Sequence, residues 1–187
     1  MRYSKEHKAE TRQRIVEEAS RRFRRDGIGA TGLQALMKAL GLTHGGFYAH
    51  FKSKDDLVET ALQHAVEERD EAVDEFMSAD EPLQTLIEQY LSAAHCKHPE
   101  QGCPLPTMAA ELGQRGEPSA TTDQLVKKRL EQIAAGLGGD ESADERSVLV
   151  LSAMVGALQL SRSVKNKRLS DRILKTTARL LDEMAES

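Results

Sequence analysis

The sequence predicts an all-α fold of about nine helices arranged in two domains. Apolar residues recur every three or four positions along most of its 187 residues, which is the spacing of one helix face. Runs with the apolar-polar alternation of a half-buried strand are absent from the sequence, and Gly, Pro and polar clusters separate the helical segments. We expect a domain boundary after residue 54, which gives a small domain at 1–54 and a larger one at 55–187.

The first helix carries an apolar stripe at positions 15, 16, 19 and 23 and is predicted to end at Gly27. Its polar face is expected to hold six arginines. These are Arg12, Arg14, Arg21, Arg22, Arg24 and Arg25.

A tight turn follows the second predicted helix, whose apolar face carries Leu33, Leu36, Met37 and Leu40. Gly41 suits the left-handed residue after a helix. Thr43 suits the N-cap of a third helix, from about His44 to Phe51. Within it, Phe47 and Phe51 are four residues apart, so both are expected to face the core.

A fourth helix is predicted from about residue 54 to residue 77, because Ser53 and Asp56 form a capping box before Leu57. Two short helices joined by a tight turn, ahead of this helix, form the geometry that places a helix in the major groove of DNA. Among the candidate contacts, His44 and Gly45 are expected to face bases. We expect phosphates to be held by Thr43, Tyr48, His50 and Lys54, and the entry to the second helix to be steadied by Thr31.

Residues 15–54 resemble the N-terminal domain of the TetR family of transcriptional regulators. The matching motifs are Gly27…Ala30-Thr31, Gly41-Leu42-Thr43, Phe47-Tyr48-x-His50-Phe51 and Ser53-Lys54-Asp55. One departure is Gly32, where the family usually has Ser or Thr, so that Thr31 must act alone there. The resemblance implies a homodimeric repressor on a palindromic operator, released by a small-molecule effector that binds the C-terminal domain.

The charge distribution is consistent with binding DNA through one end of the chain. The whole chain has a net charge of −4. Residues 1–54 hold 12 Lys and Arg against 5 Asp and Glu, a net charge of +7, whereas residues 55–187 hold 14 against 25, a net charge of −11. The sequence has no glycine-rich phosphate loop, nucleophile elbow or His-Glu-x-x-His pair, so we predict no enzyme activity, cofactor or metal.

The remaining helices are predicted by similar apolar faces, with a loop between residues 95 and 106. Their expected ranges are 82–94, 106–115, 119–137, 143–164 and 170–186. Because the helix at 143–164 is apolar on nearly all sides, we expect one of its sides to pack against a second copy, together with the last helix. The predicted dimer interface comprises Val148, Ser152, Val155, Gly156, Ile173, Thr177, Leu180 and Met184.

An effector pocket is implied by the family resemblance, and residue types suggest its walls. A mostly apolar cavity with few polar groups is typical of such sites. The candidates are Leu86, Tyr90, Leu105, Met108, Leu112, Met154 and Leu158, with Gln159 as the polar group. For each of them, ordinary core packing is the more common role.

The segment from His95 to Cys103 has three interpretations. Cys96 and Cys103 are inert in the first; in the second, either or both form a thiol switch that makes the protein a redox-sensing repressor. The third is a zinc site, although the spacing fits no common zinc finger.

The predicted location is the cytoplasm, since the sequence contains no apolar run of membrane-spanning length and no signal peptide.

Besides the redox-sensing repressor, a non-specific architectural DNA-binding protein is an alternative function. Its weakness is that such a protein needs no second domain of this size.

Overall fold

The computed structural model describes residues 5–140 and 142–185, and it is all-α, with no strand in those ranges. The α-helices are α1 (Lys5–Asp26), α2 (Leu33–Ala39), α3 (Lys54–Phe76), α4 (Pro82–Tyr90), α5 (Ala93–Lys97), α6 (Ala110–Gln114), α7 (Ala120–Gly136), α8 (Ala143–Ser163) and α9 (Lys167–Ala185). Two 3₁₀ helices, His44–Ala49 and Pro99–Gln101, and a π-helical turn, Leu105–Ala109, complete the described structure. None of the described helices is long and apolar enough to cross a membrane.

The chain forms two compact units, each assembled from two separate segments. Unit 1 consists of Met1–Glu67 and Glu100–Thr121, and unit 2 of Glu68–Pro99 and Thr122–Ser187. The boundary that the sequence suggested, after residue 54, falls inside unit 1.

Unit 1 is built around one hydrophobic core that includes residues far apart in the sequence. Helix α1 contributes the predicted stripe, the 3₁₀ helix contributes Phe47, and Phe51 follows it. Two side chains from the second segment, Met108 and Leu112, complete this core. Thus the segment Glu100–Thr121 contributes to the hydrophobic core of unit 1.

Unit 2 is a helical bundle in which α8 packs against α9, and α4 packs against both. Helix α8 buries one face, which includes Val150, Met154 and Leu158. Ionic contacts support the bundle, because Asp70 on α3 accepts hydrogen bonds from Lys128 and from the buried Arg129 on α7.

The segment expected to be an α-helix at residues 44–51 is instead a 3₁₀ helix that ends at Ala49. Its backbone bonds span three residues, as in the bond that the N–H of Gly46 donates to the carbonyl of Thr43 (3.0 Å). Gly45 and Gly46 disfavour a regular α-helix, which explains why six residues adopt this tighter form.

Two further predicted boundaries were wrong, because residues with capping side chains begin helices at other positions. The expected helix at 82–94 ends at Tyr90, because Ser92 accepts a hydrogen bond from the N–H of His95 (3.1 Å) and begins the short α5 inside the expected loop. Likewise α9 begins at Lys167 rather than near residue 170, because the Asn166 side chain accepts a hydrogen bond from the N–H of Leu169 (3.1 Å). Its expected end at Glu186 lies outside the described residues.

The expected helix at 106–115 begins instead with the π-helical turn. The N–H groups of Met108 and Ala109 both donate to the carbonyl of Pro104 (2.9 and 3.2 Å). Pro106 has no N–H to continue a regular ladder, and this favours the wider turn before α6.

We expect Gly41→Ala to destabilise the protein, because Gly41 has φ +72°. A side chain there is strained even though the surrounding space is open, and the expected cost is about 1–2 kcal/mol. Gly113→Ala is the matched control, since Gly113 lies inside α6 in equally open space and alanine favours a helix. Denaturant unfolding would measure both, and equal destabilisation by the two would contradict the assigned role of Gly41.

Candidate nucleic-acid interface

The turn between α2 and the 3₁₀ helix has the caps that the sequence predicted. Gly41 adopts the left-handed conformation, and the Thr43 hydroxyl accepts a hydrogen bond from the N–H of Gly46 (3.2 Å). The conformation of Gly41 ends α2, and the Thr43 hydrogen bond begins the 3₁₀ helix two residues later. The 3₁₀ helix is therefore held at a fixed angle to α2.

Aromatic packing fixes which face of the 3₁₀ helix is exposed. Phe47 is fully buried and stacks on Phe51, with ring centroids 5.5 Å apart. Tyr48 is 61% exposed and packs edge-on against both Phe47 and His44. Together with Thr43, His44 and Gly45 it forms an exposed surface that we call the reading face.

The start of α3 lies beside this surface and is capped largely as expected. The Ser53 hydroxyl accepts from the N–H of Asp56 (3.1 Å), while the Asp56 carboxylate accepts from the N–H of Lys52 (2.9 Å). In the usual capping box the second bond comes from the capping residue itself, so here the reciprocal bond is shifted by one residue.

Two of the predicted site residues have hydrogen-bond partners within unit 1. Thr31 is buried, and its hydroxyl donates to the carbonyl of Gly27 (2.8 Å), so it steadies the loop before α2 and does not face solvent. The half-buried Lys54 ammonium donates to the carbonyl of Ile28 (2.6 Å). Burial and the charge of Arg115 lower the pKa of Lys54, against the opposing effect of Glu111 and Asp55.

His50 lies at the edge of the reading face and is half-buried. Its Nδ1 atom is buried and has no hydrogen-bond partner. Burial and the charges of Lys8 and Arg12 lower the pKa of the imidazole, so the ring is neutral at pH 7. An open cleft of about 380 Å³ beside it is lined also by Lys5 and Lys8. These two lysines were not among the predicted contact residues, although they contribute to the basic charge of residues 1–54.

The six arginines of α1 do not all lie on its polar face as predicted. Arg24 is buried, and its guanidinium donates to the carbonyls of Gly102 (3.1 Å) and Ser20 (3.4 Å) inside unit 1. Arg12 lies over the Phe51 ring, 4.8 Å from its centroid. Arg24 is therefore a structural residue, and no sequence signal distinguishes it from the neighbouring arginines.

Residues 15–61 match the family model of the bacterial regulatory proteins of the tetR family. The matched range covers α1 from Ile15 onward, α2, the turn, the reading face and the start of α3. Residues 15–61 therefore form a DNA-binding domain of the TetR type. The protein is a DNA-binding transcriptional regulator and not an enzyme.

Individual relatives extend the similarity beyond this range. The chain is 27% identical over 174 residues to the uncharacterised HTH-type transcriptional regulator YxaF of Bacillus subtilis, which covers 86% of this chain and 89% of the relative. The regulator AcrR of Shigella flexneri is 45% identical over 56 residues, which are 30% of this chain and 26% of the relative. Among solved structures, a TetR transcriptional regulator from Chloroflexus aurantiacus has a TM-score of 0.78 at 21% identity, over 95% of this chain and 97% of that one.

The segment from His95 to Cys103 has contacts that favour an inert role for its cysteines. The Cys96 sulfur lies 3.3 Å from the Ser161 hydroxyl, and neither cysteine is in a disulfide. Burial lowers the pKa of His95 to about 4, with a smaller contribution from Arg162. This neighbour is thus uncharged at pH 7 and cannot stabilise a thiolate by its charge. Within residues 5–140 and 142–185, no cluster of three His, Cys, Asp or Glu residues could hold a metal ion.

The residues suggested for an effector pocket are divided between the two units. Leu105, Met108 and Leu112 belong to unit 1, where the last two pack in its core. In unit 2 most of the candidates are buried, and these are Leu86, Tyr90, Met154 and Leu158. Gln159, the polar group expected in the pocket, is exposed on α8.

Proposed function

We propose that the protein is a cytoplasmic homodimeric repressor that binds a palindromic operator. Each copy inserts its 3₁₀ helix into the major groove, and the two half-site centres lie about 34 Å apart or a multiple of that distance. The observation that carries the proposal is the reading face, where Thr43, His44, Gly45 and Tyr48 are exposed around the buried Phe47.

The residues of the reading face have distinct proposed roles. Tyr48 and Thr43 hold phosphates, which orient the protein on the duplex without reading its sequence. His44 and Gly45 face base edges, and Gly45 allows close approach because nothing lies within 4 Å of the position of a Cβ atom. His50 and Lys54 complete the phosphate contacts from the edge of the surface. Thr31 supports this arrangement only indirectly.

An exposed apolar surface on α8 and α9 supports the proposed homodimer. Val148, Leu149, Leu160 and Leu180 are each at least half exposed. Beside them, Val155, Ile173, Thr177 and Met184 are half-buried, Ser152 is exposed, and the space next to Gly156 is open. Large exposed apolar side chains in one area are typical of interfaces. We call this surface the α8–α9 face, and two-fold symmetry would bury it against its own copy.

Release from DNA by a small molecule is the third part of the proposal, and it is carried over from the family. The proposed apolar wall of the pocket in unit 2 consists of Leu86, Tyr90, Met154 and Leu158. An effector would release DNA if it bound more tightly to a dimer state that fits the operator poorly.

Selection from a pool of random duplexes tests the proposal directly. The full chain is expected to enrich one palindromic sequence. Enrichment of no sequence, with binding to all duplexes alike, would instead indicate an architectural DNA-binding protein. Light scattering of the free protein tests the dimer in the same preparation.

Substitutions at two neighbouring positions are expected to separate phosphate from base contacts. Tyr48→Phe removes one hydroxyl, so binding to every duplex weakens by about fivefold, as for the loss of one hydrogen bond. His44→Ala is expected to relax the preference at one base position, with a loss of about 1–3 kcal/mol of discrimination. Binding measurements on the selected duplex and its single-base variants distinguish them. A Tyr48→Phe effect confined to one base position would contradict the phosphate assignment.

A further inference from the structure

A single carboxylate binds the loop between α1 and α2. Glu111 on α6 accepts hydrogen bonds from two successive backbone N–H groups, those of Ile28 (2.6 Å to Oε2) and Gly29 (2.7 Å to Oε1). All three residues belong to unit 1. Hydrogen bonds to an ionised acceptor are stronger than neutral ones, so this pair of contacts fixes the loop firmly.

The same loop is held from its other side by the start of α3. The Lys54 ammonium donates to the carbonyl of Ile28 (2.6 Å), while Arg115 forms an ion pair with Glu111. The backbone at Ile28 is thus bonded through its N–H to α6 and through its carbonyl to α3. We call the bonds from Glu111 to Ile28 and Gly29 the loop clamp.

Two glycines make the loop clamp possible. A Cβ atom on Gly27 or on Gly29 would lie 3.0 Å from a carboxylate oxygen of Glu111, so the carboxylate would have to shift by a few tenths of an ångström. Gly27 also has φ +92°, which disfavours other residues. The loop sequence is therefore matched to the carboxylate that binds it.

The loop leads directly into the first helix of the helix-turn-helix. Gly32 is the N-cap of α2, and it supplies no side-chain hydrogen bond to the helix. Leu36 and Met37 pack α2 into the core of unit 1, while the Thr31 bond to Gly27 and the loop clamp hold the backbone that leads into its N-terminal end. Any shift of α2 moves the reading face, because the turn at Gly41 and Thr43 joins the two helices rigidly.

We propose that Glu111 is a positioning residue for DNA binding, which holds α2 and the reading face in the orientation that fits the major groove. This proposal rests on the proposed function of the reading face. Glu111 itself touches no DNA. Its effect passes through the backbone of Ile28 and Gly29.

The charge state of Glu111 is consistent with this role. Partial burial acts to raise the pKa of its carboxyl, but the N–H groups of Ile28 and Gly29 and the Arg115 guanidinium outweigh it and lower the pKa below its ordinary value. The loop clamp is therefore fully formed at neutral pH. Its contribution is lost only as the pH falls through this lowered pKa.

The test compares Glu111→Gln with Arg115→Gln in the full chain. The first replaces the anionic acceptor by an amide with one oxygen, so that at most one N–H keeps a good partner. The second removes the ion pair but leaves both bonds of the loop clamp. Amide hydrogen exchange at Ile28 and Gly29, thermal unfolding, and affinity for the duplex selected by the wild-type chain are measured for each.

Glu111→Gln is expected to speed exchange at Ile28 and Gly29 and to weaken duplex binding, each by about tenfold, with the protein still folded at the assay temperature. The salt dependence of binding is expected to stay unchanged, since no phosphate contact is lost. Arg115→Gln is expected to change exchange and affinity by less than about twofold.

Faster exchange with unchanged affinity of the folded Glu111→Gln protein would overturn the positioning role and leave a purely structural contact. Unchanged exchange would overturn the loop clamp itself. If the wild-type chain selects no duplex, the proposed function fails and the positioning role fails with it. The exchange measurement distinguishes that case, because it requires no DNA.

Discussion

Phe47→Ala is expected to destabilise unit 1 by about 3–5 kcal/mol and to abolish specific DNA binding. Phe47 is fully buried, stacks on Phe51 and packs against Tyr48, so its removal leaves a cavity beneath the 3₁₀ helix. That loss is a large part of the free energy of unfolding of a typical domain, which is about 5–15 kcal/mol. Denaturant unfolding and titration of the selected duplex would measure the two effects.

The adjacent Tyr48 provides the matched control for this experiment. Because its side chain is 61% exposed, Tyr48→Ala is expected to change stability by no more than about 0.5 kcal/mol while still weakening DNA binding. Equal destabilisation by the two substitutions would show that the buried and exposed faces of the 3₁₀ helix are wrongly assigned. Normal DNA binding by Tyr48→Ala would exclude this surface as the interface.

The helix-turn-helix could be predicted from the sequence because local contacts determine it. Gly41 was predicted from its position after an apolar stripe, and Thr43 and Ser53 from their positions before a helix. Each of these residues acts on neighbours within five positions, as the bonds of Thr43 to Gly46 and of Ser53 to Asp56 demonstrate. Such signals are present in any short window of the chain.

The contacts of Arg24, Lys54 and Glu111 could not be predicted, because their partners are distant in sequence. Arg24 bonds the carbonyl of Gly102, which lies 78 positions away, and Glu111 bonds N–H groups 83 and 82 positions away. The sequence marks these residues only as charged, and charged residues are usually solvated. Their roles depend on the packing of residues 100–121 within unit 1.

Helix boundaries between α4 and α6 were mispredicted for a different reason. In the sequence, Ser92 is equally compatible with a surface position in a longer helix and with an N-cap. Apolar periodicity does not distinguish these two positions. The π-helical turn at Leu105–Ala109 forms because the Pro104 carbonyl accepts two hydrogen bonds and Pro106 has no N–H to donate. A proline-rich segment signals only that a regular helix is interrupted.

Leu180→Glu is expected to convert the proposed homodimer into monomers and to weaken operator binding by at least about 100-fold. Leu180 is half exposed on the α8–α9 face, so the substitution leaves the chain folded but places a carboxylate in the interface. Two-fold symmetry introduces this charge twice, and burying unpaired charge is costly. Each monomer would then bind with one reading face, and the gain from linking two half-sites is lost.

Lys175→Glu is the control, since it introduces the same carboxylate on α9 but roughly 140° around the helix from Leu180. This residue is exposed and lies outside the predicted interface, so the dimer and its DNA affinity are expected to persist. Light scattering gives the mass of each variant, and circular dichroism checks that both remain helical. A Leu180→Glu protein that stays dimeric would place the interface elsewhere. A folded monomer that binds the operator as tightly as the wild type would show that one reading face is sufficient.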